Sequence, residues 1–322
     1  MQMQLYDLIV IGGGVSGLSS AIAARKGGME KVLILEKDNQ LGGMMNQCIH
    51  SGFGAELFKE ELTGPEFSQR FIDKATALEI EFKLNTMALQ IRKDKVVTAV
   101  NSEEGIFEIK GRTIVFAVGC MENTKEAVNI LGSKMAGIYT AGTAQKIVNT
   151  EGFLPGKQAL IIGSGNLGLM MARTMYLEGA KVVGVIEPGA KPKGRAKYVE
   201  ECVEDFNIPL LLMHKLVEIH GDERIESVTV AKVDSEGKRS EGSEKAIECD
   251  AILLSVDLIP DTALLKDAGI ALSSGISTNV QGVFVCGNAN HIHDDVDNLV
   301  EESRSAGLAA AGFEEGNVTE GF

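Results

Sequence analysis

The sequence predicts an α/β chain of two βαβ domains, the second inserted into the first. Three observations carry this reading. A strand, glycine turn, helix, strand and acid follow one another twice at a fixed offset, strand-rich segments close each half, and the last strand and helix are too short to form a domain of their own.

The first copy begins with the apolar run Leu8 to Ile11, which reads as a buried strand. It enters Gly12-Gly13-Gly14-Val15-Ser16-Gly17, then a helical pattern through Ala21, Ala23 and Ala24, then Val32-Leu33-Ile34-Leu35-Glu36. The second copy runs from Ala159 to Ile162 into Gly163-Ser164-Gly165-Asn166-Leu167-Gly168, through Ala172 and Leu177, to a strand ending in Glu187. Gly163, Gly165, Gly168 and Glu187 each lie 151 residues after Gly12, Gly14, Gly17 and Glu36. One G-x-G-x-x-G arises by chance in many glycine-rich loops. Two in the same context, each followed by an acid, argue for two Rossmann-like dinucleotide-binding domains. The first glycine makes the tight turn, the second lets backbone approach a pyrophosphate, and the third lets helix and strand pack closely. The helix N-terminus offers amides to the phosphates, and the acid accepts from ribose hydroxyls.

Segments 82–91, 96–100 and 106–110 read as strands, with 113–119 closing the first half. Segments 217–219 and 227–233 precede a similar closing piece, 250–257. The stretch 282–288 and the helical pattern to Ala311 are expected to return to the first domain. The boundaries read from this are 1–118 with 251–322 for the first domain and 119–250 for the second.

Composition agrees. The chain has 37 glycines in 322 residues, about 11% against an average near 7%, without a low-complexity run to absorb them. With 31 basic and 45 acidic residues the formal charge is −14, which argues against a nucleic-acid binder. Five irregularly spaced cysteines make neither a disulfide framework nor a zinc ribbon, so a cytoplasmic setting is expected. The start has no basic segment followed by a long apolar one, and no later run reaches the roughly 20 apolar residues of a membrane span.

These motifs resemble the pyridine nucleotide-disulfide oxidoreductase superfamily, the flavoproteins with two dinucleotide-binding domains, at the size of its thioredoxin-reductase-like branch. Leu41-Gly42-Gly43, Asn46-Gln47-Cys48-Ile49-His50, the 58–66 segment, Cys286-Gly287-Asn288 and His291-Ile292-His293-Asp294 are similar to a branch associated with a glycerol-3-phosphate-dehydrogenase-like flavoprotein and a small cysteine-rich protein. The resemblance implies that Gly12, Gly14 and Gly17 cradle FAD, that Glu36 holds its adenosine ribose, and that Gly42, Gly43, Gly287 and Asn288 line it. It implies that Gly163, Gly165, Gly168 and Glu187 bind the nicotinamide nucleotide. The Glu187 carboxylate favours NAD(H) over NADP(H), although Lys191, Lys193 and Arg195 follow closely. The implied activity is hydride transfer between nicotinamide and flavin, with electrons passing to or from a companion dehydrogenase or iron–sulfur protein. Oligomeric state is left open.

Two departures stand out. Met45 and His50 occupy the positions where longer disulfide reductases keep their cysteine pair, and no cysteine lies between Cys120 and Cys202, where thioredoxin-reductase-like enzymes carry Cys-x-x-Cys. A dithiol relay is therefore not expected. Asp257 and Met121-Glu122-Asn123 also depart from the family pattern, at the hinge. The alternative chemistry is a single-cysteine peroxide, thiol or polysulfide reductase, with Cys48 as the reacting thiol and His50 as acid or base. The other four cysteines are expected to pack. His291 and His293 are two apart, but no third spaced ligand is evident, and no metal is expected. Asp294 or Asp295 is the expected N-cap of the last helix.

Overall fold

A computed structural model describes residues 3–123, 134–255 and 257–314. The chain divides into two compact units, Met1–Met121 with Ile259–Phe322, and Glu122–Leu258.

In the first unit, strand Gln4–Ile11 lies between Val32–Leu35 and Gly105–Phe116 and is parallel to both. Strand Glu81–Lys83 extends the sheet beyond Val32–Leu35. The twelve-residue strand Gly105–Phe116 serves two neighbours. Its first half pairs antiparallel with Val96–Asn101, which pairs with Met87–Ile91, and its last three residues pair parallel with Val283–Val285.

The unbroken apolar run of the first strand follows from this position. Leu8 and Val10 enter a core with Leu18, Ile34, Phe67, Phe71 and Val300, whereas Ile9 and Ile11 enter another with Leu33, Ile114, Phe116, Val283 and Leu265. Helices on one side and chain on the other leave neither face to water, so alternation is lost.

Helix Val15–Lys26 packs against helix Val296–Ala311 along small residues. A Cβ on Gly307 would lie 2.1 Å from the Ser20 carbonyl oxygen, and one on Gly27 would lie 2.7 Å from Ala311 Cβ. Ser19 Oγ donates to the Val300 carbonyl at 3.2 Å. Helix Gly64–Ala77 starts in a reciprocal cap: the Thr63 amide donates to Glu66 Oε2 at 2.8 Å, and the Glu66 amide donates to Thr63 Oγ1 at 3.4 Å.

The second unit holds a parallel sheet in the order Ile138–Thr140, Ala251–Leu254, Gln158–Ile162, Lys181–Glu187, Leu210–Leu212. An antiparallel sheet of His214–Gly221, Ile225–Lys232 and Lys245–Glu248 adjoins it. Ala159, Ile161 and Leu253 face one core with helix Asn166–Leu177, and Leu160, Ile186 and Ile252 face another.

The boundary read at 250/251 is corrected to 258/259. Strand Ala251–Leu254 pairs with Gln158–Ile162 as Ile114–Phe116 pairs with Gln4–Ile11, so the closing strand belongs to the second unit. Asp250 reinforces this, accepting from the Lys157 and Gln158 amides at 3.0 and 2.8 Å.

Candidate functional site

The two glycine turns fold alike, and their hydrogen bonds repeat with the same offset as their residues. The Gly12 amide donates to the Leu35 carbonyl at 2.9 Å, and the Gly163 amide to the Ile186 carbonyl at 2.8 Å. Glu36 accepts from the Gly13 and Asp38 amides at 2.7 and 2.8 Å. Glu187 accepts from the Ser164 and Gly189 amides at 3.2 and 2.9 Å, and from Ser164 Oγ at 2.7 Å.

The chain itself requires the first and third glycines. Gly12 and Gly163 have φ of +108° and +97°, and a Cβ on either would lie 2.4 Å from a backbone oxygen, of Ala117 or Ser255. A Cβ on Gly17 would lie 1.8 Å from the Gly12 oxygen, and one on Gly168 would lie 2.4 Å from the Gly163 oxygen.

The middle glycines differ. Gly14 has φ −71° and ψ 179°, and Gly165 has φ −65° and ψ 167°, extended values open to any residue. A Cβ on Gly14 would meet only Gly43 Cα at 3.8 Å, and one on Gly165 only Ser255 Oγ at 3.6 Å. Nothing in the fold demands glycine there. Each opens a helix N-terminus without a side-chain cap, so no side chain of its own satisfies the first helical amides.

Both acids are buried. Burial alone would raise the Glu187 carboxyl, but the Ser164 hydroxyl, the Gly189 and Ser164 amides and the nearby Lys193 outweigh it and hold it below the usual carboxylate range. Each carboxylate has about four acceptor positions. Glu36 keeps acceptor positions beyond the two amides it serves, and Glu187, with three donors, keeps fewer. The chain after Glu187 folds back over this turn: the Lys193 amide donates to Ser164 Oγ at 3.0 Å, the Gly194 amide to the Ser164 carbonyl at 2.8 Å and the Arg195 amide to Asn166 Oδ1 at 2.9 Å. Sequence reasoning missed Ser164, whose hydroxyl links the acid to this loop.

Around the first turn the structure gathers the remaining residues expected there. The Gly42 amide donates to the Gly13 carbonyl at 2.9 Å, and a Cβ on Gly43 would lie 2.9 Å from Gly14 Cα. Gly287, at φ +64°, presses on the start of the first helix, since a Cβ there would lie 2.1 Å from Ser16 Oγ. Asn288 Nδ2 donates to Cys120 Sγ at 3.8 Å, and Asn288 Oδ1 accepts from the His293 amide at 3.0 Å. Asp295 is the N-cap of the last helix, accepting from the Asp297 amide at 2.7 Å.

Cys48 and His50 are close in sequence but not hydrogen-bonded to each other. The Cys48 thiol donates to the Met44 carbonyl at 3.6 Å, whereas His50 Nδ1 lies 2.9 Å from the Ser51 carbonyl and its ring tilts onto Phe53. Burial pushes the Cys48 thiol up to about 11, so it is protonated at neutral pH and a poor nucleophile. Part of the residue remains accessible. Cys48, Cys202, Cys249 and Cys286 are free thiols. Cys202, Cys249 and Cys286 are buried, and burial raises Cys286 to about 12.

The comparisons with known proteins agree with this geometry. Residues 6–316 match the pyridine nucleotide-disulphide oxidoreductase family, and the chain belongs to it. Its fold is the thioredoxin-reductase-like one of two dinucleotide-binding domains. Among curated relatives, an alkyl hydroperoxide reductase subunit of Staphylococcus aureus is 24% identical over 314 residues, 95% of this chain and 58% of that protein. The chain thus spans little more than half of that relative. Among solved structures, T. acidophilum thioredoxin reductase has a TM-score of 0.77 at 24% identity, over 96% of this chain and 98% of that one. A NAD-dependent persulfide reductase from A. fulgidus has a TM-score of 0.70 at 19% identity, over 95% of this chain and 59% of that one. Among the described residues, no helix is long and apolar enough to cross a membrane.

Proposed function

We propose that this chain exchanges electrons between a nicotinamide nucleotide and a partner protein by way of FAD, without a dithiol relay. The observation that carries the reading is the pair of middle glycines, Gly14 and Gly165, which the fold leaves without a packing reason. Gly12, Gly14, Gly17, Glu36, Gly42, Gly43, Gly287 and Asn288 would hold FAD, and Gly163, Gly165, Gly168 and Glu187 the nicotinamide nucleotide. Bound FAD supplies the two-electron chemistry that couples the two. The chain's residues bind and position. The amides opening helices Val15–Lys26 and Asn166–Leu177 face the phosphates, and the carboxylates accept from the riboses.

NAD(H) is the proposed nucleotide, because an ionised, buried Glu187 matches a ribose diol and repels a 2′-phosphate. The protonated Cys48 thiol and its separation from the His50 hydrogen bond support a pocket-shaping role for both residues over a single-cysteine reductase. The free thiols of Cys48, Cys202, Cys249 and Cys286 support a cytoplasmic setting. The partner is proposed to be a companion dehydrogenase or a small iron–sulfur or cysteine-rich protein.

Anaerobic stopped-flow mixing with NADH and with NADPH, followed at the flavin band, tests this. Rapid bleaching by NADH in wild type and in Cys48→Ser is the expected result. Protein that neither carries nor takes up FAD would refute the reading, as would bleaching that requires Cys48.

A further inference from the structure

The turn after Gly287 and the last helix bring together His291, His293 and Glu302, three side chains that the electron-transfer reading does not use. One ligand atom from each lies within 4.8 Å of the other two. Glu302 Oε2 is 3.2 Å from His291 Nδ1 and 3.6 Å from His293 Nε2. A tetrahedral divalent ion with bonds of about 2.0–2.1 Å separates its ligand atoms by roughly 3.3 Å, so both distances suit a shared ion.

The surrounding hydrogen bonds orient these atoms. Asn288 Oδ1 is fixed as an acceptor, because the His293 amide donates to it at 3.0 Å. His293 Nδ1 lies 3.3 Å from the same oxygen and therefore carries the proton of the neutral ring, leaving the Nε2 lone pair turned towards Glu302. Glu302 Oε1 is taken by the Gly287 amide at 2.8 Å, which leaves Oε2 for the cluster. Asn290 Nδ2 donates to Glu302 Oε2 at 3.2 Å, which leaves the single lone pair of His291 Nδ1, 3.4 Å from that amide, for the cluster. A ring lone pair and a carboxylate oxygen that face each other at this range repel unless a cation lies between them.

Exposure fits an open site. The His293 and Glu302 side chains are 6% and 16% exposed and His291 is 59% exposed, so an ion enters on the His291 side and keeps coordination positions free. We infer that His291, His293 and Glu302 form a binding site for one zinc-class divalent ion, with two imidazoles and a carboxylate as ligands and an open position towards solvent. The missing third ligand, which led the sequence to predict no metal, comes from nearly two turns into the last helix and shares no spacing motif with the histidines.

The test uses the full-length flavoprotein without an affinity tag, stripped by a chelator, dialysed against zinc chloride and analysed for bound metal, with titration calorimetry for affinity. The expected result is one equivalent of zinc, with binding weakened at least about tenfold by His291→Ala and by Glu302→Gln and unchanged by Cys48→Ser. The exposed His291 makes its variant safe for folding, and Glu302→Gln retains an acceptor for the Gly287 amide. Substoichiometric zinc in the wild type overturns the inference, as does binding that survives His291→Ala or is lost with Cys48→Ser. Such results leave the His–His–Glu contact as a proton-bridged ion pair.

Discussion

Exchanging glycine for alanine at Gly14 and at Gly17 separates a residue kept for a ligand from one kept for the fold. At Gly17 the new methyl would sit 1.8 Å from the Gly12 carbonyl oxygen. That atom is backbone, fixed by the strand on one side and the helix on the other, so the turn must open. Overpacking of this kind costs about 1–3 kcal/mol or more, a large share of the roughly 5–15 kcal/mol that holds a domain together. At Gly14 the methyl meets only Gly43 Cα at 3.8 Å in an extended conformation that alanine adopts freely. The reduced entropy of the unfolded chain favours alanine by roughly 0.4–1 kcal/mol, and the poorer N-cap works against it by a similar amount. The net effect on apoprotein stability is expected within about 1 kcal/mol of zero. The same methyl occupies the space proposed for the FAD pyrophosphate. Loss of one hydrogen bond to a charged group costs about 1.5–3 kcal/mol, roughly a 10- to 150-fold rise in Kd. Urea unfolding of the two apoproteins and fluorescence titration with FAD measure both quantities. Equal destabilisation by the two substitutions would refute the division of roles, as would wild-type FAD affinity in Gly14→Ala.

Gly165→Ala is expected to leave flavin content and stability near wild type and to raise the Kd for the nicotinamide nucleotide by a similar factor, because its methyl meets only Ser255 Oγ at 3.6 Å. Equilibrium titration of the oxidised flavoprotein with NAD+ checks this. Gly307→Ala drives a methyl to within 2.1 Å of the Ser20 carbonyl oxygen and is expected to lower stability by about 1–3 kcal/mol in urea melts; a neutral result would mean that the two helices separate easily. Alkylation of Cys48 by iodoacetamide reads its protonation state. The folded thiol is raised to about 11, so the thiolate is scarce at neutral pH and the rate should rise roughly tenfold per pH unit until it levels near that value. A plateau below pH 9 would show an activated thiol and revive the single-cysteine chemistry. The raised value also means that any stability Cys48 contributes is present below the unfolded thiol's pKa and fades as pH climbs through the folded one.

The parts legible in the sequence are those whose physics is local. A tight turn, a close helix contact and an open approach each need glycine at a fixed spacing, so both turns and both acids could be placed from residues 12–36 and 163–187. Their internal hydrogen bonds repeat at the same offset. The boundary after Asp250 was misplaced because nothing local says which sheet a strand joins. That depends on Ala251–Leu254 finding Gln158–Ile162 across ninety residues. Glu302 was illegible for the same reason, since its partners come from a separate turn. Cys48 and His50 lie two apart in sequence, but spacing alone could not show that their polar atoms turn to different carbonyls. Ser164 escaped notice because it stands between two glycines that already explained the motif.

The discontinuity of the first unit has a consequence for how the chain is made. On the ribosome, residues 122–258 emerge as one continuous piece with every described strand of their sheets present, so they can fold while synthesis continues. The N-terminal 121 residues cannot finish. The far edge of Ile114–Phe116 waits for Val283–Val285, and the small-residue face of the first helix waits for Val296–Ala311. A nascent chain arrested soon after Leu258 should therefore resist protease across its later segment while the earlier one is still cut. The segment that is synthesised first is the one that matures last, and its apolar strand edge stays uncovered while about half of the protein, residues 117–282, is translated.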